Sequence, residues 1–191
     1  MTCCSSGPAT CCPAPAADGA AAATAARRPL EVEFLFLDLT LCDRCRGTEK
    51  ALADAVADVG RILEPIGIDV TLKSTQVTTP EQARQLAFVS SPTIRVMGRD
   101  AAIDVRENFC AGCSSLCGSD ISCRVWTWQG RLYSVPPKEL LLDAILRDAY
   151  LHPSGTREVP PPFDALPENL ERFFGAASKS RAAPARSASG T

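Results

Sequence analysis

The stretch Val32–Gly47, VEFLFLDLTLCDRCRG, constrains the rest of the chain more than any other. Its apolar run, Val32 to Leu39, reads as a short buried strand, because aliphatic and aromatic residues fill it and no Gly or Pro interrupts. Two residues beyond Thr40 come Cys42-Asp43-Arg44-Cys45, and then a helical pattern. Unpaired amides at a helix N-terminus favour negative charge, so a thiolate placed there has a lowered pKa. A second cysteine three positions on shares the helix face and can close a disulfide. Cys42 is expected on the more exposed side as the attacking thiol, with Cys45 as the resolving one. Arg44 and Arg46 add positive charge nearby. Gly47 suits a helix interior poorly, so the regular helix is expected to start after Thr48. The competing readings of the pair are two buried core cysteines or half of a zinc site.

The chain has 191 residues, enough for one domain plus tails. Its 20 basic and 22 acidic residues nearly balance, which gives no electrostatic case for binding nucleic acid or a membrane surface. No apolar run is long enough to span a bilayer. No basic region followed by an apolar segment opens the sequence, so no secretory leader is expected and the cytoplasm is the expected compartment. Ten cysteines are too few for a small disulfide scaffold. In a reducing compartment, clustered thiols bind metal or do redox work more often than they form permanent bridges.

Residues 1–29 read as a flexible tail rich in Ala, Ser, Gly and Pro, yet they hold two adjacent pairs, Cys3-Cys4 and Cys11-Cys12. Adjacent cysteines seldom bridge each other, but they supply thiolates to one soft ion. The alternative is that these thiols have no folded role. After the Cys-x-x-Cys pair, Leu52, Val56, Val59 and Leu63 mark one face of a helix that Pro65 and Gly67 stop. The alternation in Ile68–Leu72 gives a second strand, which completes a β-α-β unit with parallel strands. Thr79-Pro80-Glu81-Gln82 starts a short helix that runs to about Phe88. Val89-Ser90-Ser91-Pro92-Thr93-Ile94-Arg95-Val96 then places a proline at the head of a strand. Met97–Asp100 reads as a turn before a short strand at Ala101–Val105.

Cys110-x2-Cys113-x3-Cys117-x5-Cys123 packs four thiols into one stretch, with Gly112 and Gly118 supplying turns. Four thiolates suit zinc or an iron–sulfur cluster. Two local disulfides are a competing reading, and a loop that brings a resolving cysteine to Cys42 is a third. Cys123–Trp128 and Arg131–Val135 form a hairpin turning at Gln129-Gly130, with Trp126 and Trp128 packing into the core. A final helix runs from Lys138 to Leu151. VPPPFDALPENLERFF is expected to make a short docked turn, and residues from Ser178 on are expected to be disordered.

A Cys-x-x-Cys at the end of the first strand, followed by Ser-Pro-Thr opening a later strand, resembles the thioredoxin superfamily. That resemblance implies a cis Pro92 lying against Cys42 and Cys45, with its neighbour's backbone free to pair with a substrate. Thioredoxin itself has Trp before its first cysteine and Gly-Pro between the two, whereas here Leu41 and Asp43-Arg44 stand there. The wording CDRCRGT, FVSSPTIRV and CRVW is similar to the DUF2703 family, thioredoxin-like proteins of unassigned function, over about Glu31 to Tyr150. Asp38, in the strand before the motif, is a candidate proton acceptor for the resolving thiol, or else a solvated strand-end carboxylate.

The expected architecture is therefore α/β: a thioredoxin-like sheet flanked by helices over residues 30–152, with a Cys-rich insertion at 106–123. A mostly disordered extension over 153–191 follows. The first functional expectation is a thiol–disulfide oxidoreductase using Cys42, Cys45 and Pro92, whose partners are protein or small-molecule thiols and disulfides. The second is a binder of soft metal or metalloid ions such as arsenite or mercuric ion, using Cys3, Cys4, Cys11, Cys12, Cys110, Cys113, Cys117 and Cys123. The vicinal pairs of the tail resemble those of arsenic metallochaperones. A third combines the two: an enzyme acting on a metal–carbon or metal–sulfur bond with two thiols and a carboxylate such as Asp43. No cofactor is fixed by the sequence; zinc or an iron–sulfur cluster at the 110–123 cysteines is the candidate.

Overall fold

Strand β1 (Arg28–Phe36) lies inside the first sheet because Leu30, Val32, Phe34 and Phe36 make one buried apolar face, while Leu35 and the buried Glu33 lie on the other. A computed structural model describes residues 27–40, 42–117 and 120–182, apart from the side chains of residues 116, 117 and 179–182. Over these residues the chain is mixed α/β, with two sheets flanked by five helices. β1 pairs in parallel with β2 (Ile68–Gln76), in register from Arg28 opposite Ile68 to Phe36 opposite Gln76. Its other edge pairs antiparallel with β3 (Thr93–Val96), which pairs in turn with β4 (Arg99–Asp100). The strand order is β2-β1-β3-β4.

Strand β1 starts and ends earlier than its apolar run predicts. Arg27 and Arg28 join the fold because the Arg27 guanidinium pairs with Asp69 on the neighbouring strand, at 2.7 Å to each carboxylate oxygen. Residues 27–29 therefore belong to the domain rather than to the tail; residues 1–26, with Cys3, Cys4, Cys11 and Cys12, lie outside the described residues. At the other end Leu37 leaves the ladder, and its N–H donates to Ser91 Oγ at 3.2 Å.

Helix α1 (Asp43–Leu63) begins directly after Cys42, not after Thr48. Cys42 itself caps it, accepting from Cys45 N–H at 3.4 Å. Gly47 is tolerated inside the helix because a Cβ there would meet Val135 at 2.7 Å. The helix buries Leu52, Ala55, Val59 and Leu63 and packs with α4 (Lys138–Leu151) against the sheet. A 3-10 turn at Glu64–Ile66 ends it, and helix α2 (Pro80–Gln85) is capped by Thr79 as its sequence predicts.

No strand forms at Ala101–Val105. The β3–β4 hairpin turns at Met97-Gly98, both with positive φ, so its second strand falls two residues earlier. A second sheet, β5-β6-β7, instead joins β5 (Arg106–Phe109), β6 (Ser122–Trp128) and β7 (Arg131–Tyr133). Between β5 and β6 lies helix α3 (Ala111–Cys117), where Gly112 led us to expect turns. Trp126 is fully buried and Trp128 packs against the core, as the hairpin pattern predicts.

The C-terminal extension is more ordered than expected. Helix α5 (Glu168–Ala182) replaces the short turn and runs through Ser178. Phe173 and Phe174 bury their rings edge to face at 5.3 Å, each contributing about 1.5–3 kcal/mol of apolar burial. Ahead of α5, the extension clasps the β3–β4 turn: Glu158 N–H donates to Met97 O at 2.8 Å, and Arg157 pairs with Glu31 and buried Glu33. Gly98 makes that clasp possible. Its φ is +83°, and a Cβ would stand 1.7 Å from the Glu158 carbonyl oxygen. Gly98→Ala is accordingly expected to cost about 2 kcal/mol or more, through left-handed strain and loss of the clasp. Urea unfolding measures this; a loss under about 0.5 kcal/mol would contradict the close approach.

Candidate metal centre

Three segments bring their thiols to one point. Cys42 sits where β1 hands over to α1, Cys110 and Cys113 at the start of α3, and Cys123 near the start of β6. The Sγ atoms of Cys42, Cys110, Cys113 and Cys123 all lie within 4.8 Å of one another, and all four residues are buried. Cys42 and Cys110 are 4.0 Å apart, and Cys113 and Cys123 3.2 Å. A tetrahedral ion with bonds of about 2.3 Å separates its sulfurs by about 3.8 Å, and those two distances bracket that value. The four can hold one soft metal ion.

Sequence reasoning assigned Cys42 to the redox pair and Cys110, Cys113, Cys117 and Cys123 to the ion. The structure brings Cys110, Cys113 and Cys123 together and sets Cys42 beside them; the Cys117 side chain lies outside the described residues. Cys42 is 1 % exposed, not the accessible attacking thiol that its place before a helix suggested. The stretch from β5 to β6 folds back over it. One sequence signal pointed this way: Cys110-x-x-Cys113 repeats the spacing of Cys42-x-x-Cys45, so two helix starts each bring a thiol pair.

The second sheet is fastened over Cys42 by backbone and side chain together. Arg44, in the first turn of α1, donates to Phe109 O at 2.7 Å and to Asn108 Oδ1 at 2.5 Å. Cys110 N–H donates to Ile121 O at 2.9 Å, which sets α3 against β6. On the far side Arg124 N–H donates to Ser91 O at 2.7 Å. The Arg124 side chain, wholly buried, reaches Thr93 Oγ1 at 3.1 Å and Asp100 Oδ2 at 2.8 Å, and lies 5.0 Å from the Trp126 ring centre. Asn169 of α5 holds Ser122 by two hydrogen bonds, at 2.9 and 2.6 Å. Sequence reasoning missed Arg124 and Asn169, because neither belongs to a motif and their partners are distant in the chain.

The Ser91-Pro92 peptide is cis, as the Ser-Pro-Thr resemblance implied. Ser91 Oγ lies 3.4 Å from Cys45 Sγ, so the proline loop lies against the thiol pair. The Ser91 carbonyl is already taken by Arg124. Asp38 Oδ1 accepts from Thr40 N–H at 2.6 Å and from its hydroxyl at 2.7 Å. Its position is that of a carboxylate fixing the loop before Cys42.

The thiols do not share one acidity. Hydrogen bonds from Cys110, then Cys113, Cys123 and Cys45, hold the Cys42 thiol far below the usual range. Cys110 is lowered to about 6 by Cys113 and Cys123. Cys113 is pushed up chiefly by Cys110, and Cys123 by Cys110 and Cys113, with burial adding to both. Cys45 is pushed up by Cys42 and by its own burial. The five sulfurs thus differ in acidity because they bond to one another, Cys42 and Cys110 being lowered and Cys45, Cys113 and Cys123 raised. A cavity of about 370 Å³ with mixed polar and apolar walls, lined by Leu37, Asp38, Thr78, Phe173 and Phe174 among others, includes none of these sulfurs.

A family model described as "Domain of unknown function (DUF2703)" matches residues 30–145. The chain belongs to the DUF2703 family. That DUF2703 segment runs from β1 into α4 and contains all five described thiols, Cys42, Cys45, Cys110, Cys113 and Cys123. No curated protein and no solved structure matches the chain. Among the described residues, no helix is long and apolar enough to cross a membrane.

Proposed function

We propose that this DUF2703 protein captures a single thiophilic metal or metalloid ion in a buried site made by Cys42, Cys110, Cys113 and Cys123. The observation that carries this reading is the mutual approach of four buried sulfurs from three separate segments. Soft thiolates select soft ions, and a closed, four-coordinate set suits retention rather than turnover at an open coordination position. A multi-iron cluster would set iron beneath separate thiolates and spread the sulfurs more widely than they stand. A reducing compartment fits the reading, because it keeps such thiols free to ligate.

A thioredoxin-like origin is part of the same proposal. Its support is the β2-β1-β3-β4 order with one parallel and two antiparallel pairings, together with the cis Pro92 beside the thiol pair. Action on external disulfides has less support. Cys42 is shut in, and the Ser91 carbonyl that the resemblance would offer to a substrate accepts from the chain's own β6.

Metal analysis of anaerobically purified protein, then titration with Zn(II), Cd(II) or arsenite, tests the proposal. One ion per chain with Cys3, Cys4, Cys11 and Cys12 changed to serine supports the core site; no uptake by that variant overturns it. Proton release gives a second readout, because ligating thiols must be deprotonated. Cys113 and Cys123, both pushed up, are expected to give up protons when they ligate, and Cys110, lowered to about 6, adds to the release below about pH 6, where affinity falls. Dye-monitored uptake in weak buffer counts these protons.

A further inference from the structure

Cys45 is the described thiol that the ion site leaves unused. It is wholly buried, and its hydrogen bonds run to Cys42 and to Ser91 Oγ. It stands outside the set of four sulfurs, yet its own N–H already touches Cys42 Sγ. Cys42 therefore belongs to two arrangements that exclude each other: ligand to an ion, or half of a Cys42–Cys45 disulfide. The second is within reach. Asp43 and Arg44 between them are helical, which sets the two Cα atoms about 5 Å apart. Disulfides form across separations of about 4.4–6.8 Å.

We propose that oxidation of Cys45 releases the bound ion, which makes the site a redox-gated store; this rests on the ion-binding reading above. In the loaded protein Cys42, Cys110, Cys113 and Cys123 are engaged as ligands, whereas Cys45 keeps its thiol and touches Cys42. Hydrogen peroxide transfers an oxygen atom to Cys45, the described thiol not bound to the ion, giving a sulfenic acid and water. The Cys42 thiolate then attacks the Cys45 sulfur and displaces hydroxide, forming the disulfide. Two electrons pass from the two sulfurs to the peroxide. The ion is left with three ligands and exchanges to an outside acceptor. Reduction by a small thiol restores both cysteines and with them the fourth ligand.

The experiment uses the full chain with Cys3, Cys4, Cys11 and Cys12 changed to serine, loaded with one Cd(II). Hydrogen peroxide is added in the presence of a chromophoric chelator. Rapid appearance of the Cd(II)–chelator complex is expected, with a Cys42–Cys45 disulfide in the peptide map. In the same background Cys45→Ser is expected to load one Cd(II) and to release it at least tenfold more slowly; Cys45→Ala serves in parallel should the serine perturb the core. Release from the loaded variants at the rate of the parent would overturn the inference, as would a disulfide mapping to Cys113 and Cys123. Failure of the parent to load Cd(II) would instead overturn the ion-binding reading beneath it.

Discussion

Changing Cys123 to serine is expected to weaken ion binding about 100-fold while leaving the protein folded. Four-ligand thiolate sites bind zinc with an apparent 10–16 kcal/mol, so one ligand of four is worth about 3 kcal/mol, or roughly two decades in affinity. Serine keeps the shape of the side chain but offers a hard, protonated oxygen to a soft ion. Cys42→Ser and Cys110→Ser are expected to behave alike, although the three residues belong to different elements. Serine at Cys3, Cys4, Cys11 and Cys12 is expected to leave the affinity of the core site within about threefold, because Cys42, Cys110, Cys113 and Cys123 already supply four ligands. Competition titrations against a chelator of known affinity give the comparison. Equal binding by Cys123→Ser and the parent would remove Cys123 from the site, and with it the argument from sulfur geometry.

Removing the carboxylate of Asp100 is expected to destabilise the fold by about 3 kcal/mol. Its partner Arg124 has a side chain with no exposure at all, and the two are 2.8 Å apart. Breaking a buried pair from one side costs about 3–5 kcal/mol, because the remaining charge cannot regain its water. The Asp100 side chain keeps 29 % of its surface exposed, which places the expectation at the lower end. For a chain of this size, about 3 kcal/mol lowers Tm by roughly 6–12 °C. Asp100→Ala with Arg124→Met is expected to recover more than half of the loss, since no charge is then stranded. Thermal unfolding of the two single variants and the double one completes the cycle. A double variant no more stable than Asp100→Ala would show that the pair acts through packing rather than charge.

The same pair explains why the site closes. Arg124 follows Cys123 directly, so a side chain anchored on Thr93 and Asp100 and a backbone N–H anchored on Ser91 fix where Cys123 stands. The second sheet contributes three of the four ligands, counting α3 with it, and reaches Cys42 only because Arg44, Arg124 and Asn169 tie it down. Local pattern carries none of these ties. Arg44 bonds to residues more than sixty positions away, and Asn169 to a strand across the domain.

What short-range physics controls was legible in the chain. The apolar run before Cys42, the stripe Leu52–Val59–Leu63, the capping Thr79, the turn at Gln129-Gly130 and helix α4 all follow from periodicity and turn chemistry, and all stand in the fold. Its distinctive motifs are all built on cysteine, and the resemblance to thioredoxin implies a proline against the thiol pair, where the cis Pro92 loop lies. Strand ends, the ordering of α5 and the partition of the thiols were decided by tertiary structure. β1 ends where its ladder with β2 ends, and α5 forms because Leu170, Phe173 and Phe174 find an apolar surface to cover. Spacing alone placed Cys42 with Cys45 and Cys110 with Cys113. Only the folding back of β5, α3 and β6 across the end of β1 joins Cys42 to Cys110, Cys113 and Cys123 and leaves Cys45 outside, because a ligand set is defined by distance in space, which a linear chain specifies only once its long-range contacts have formed.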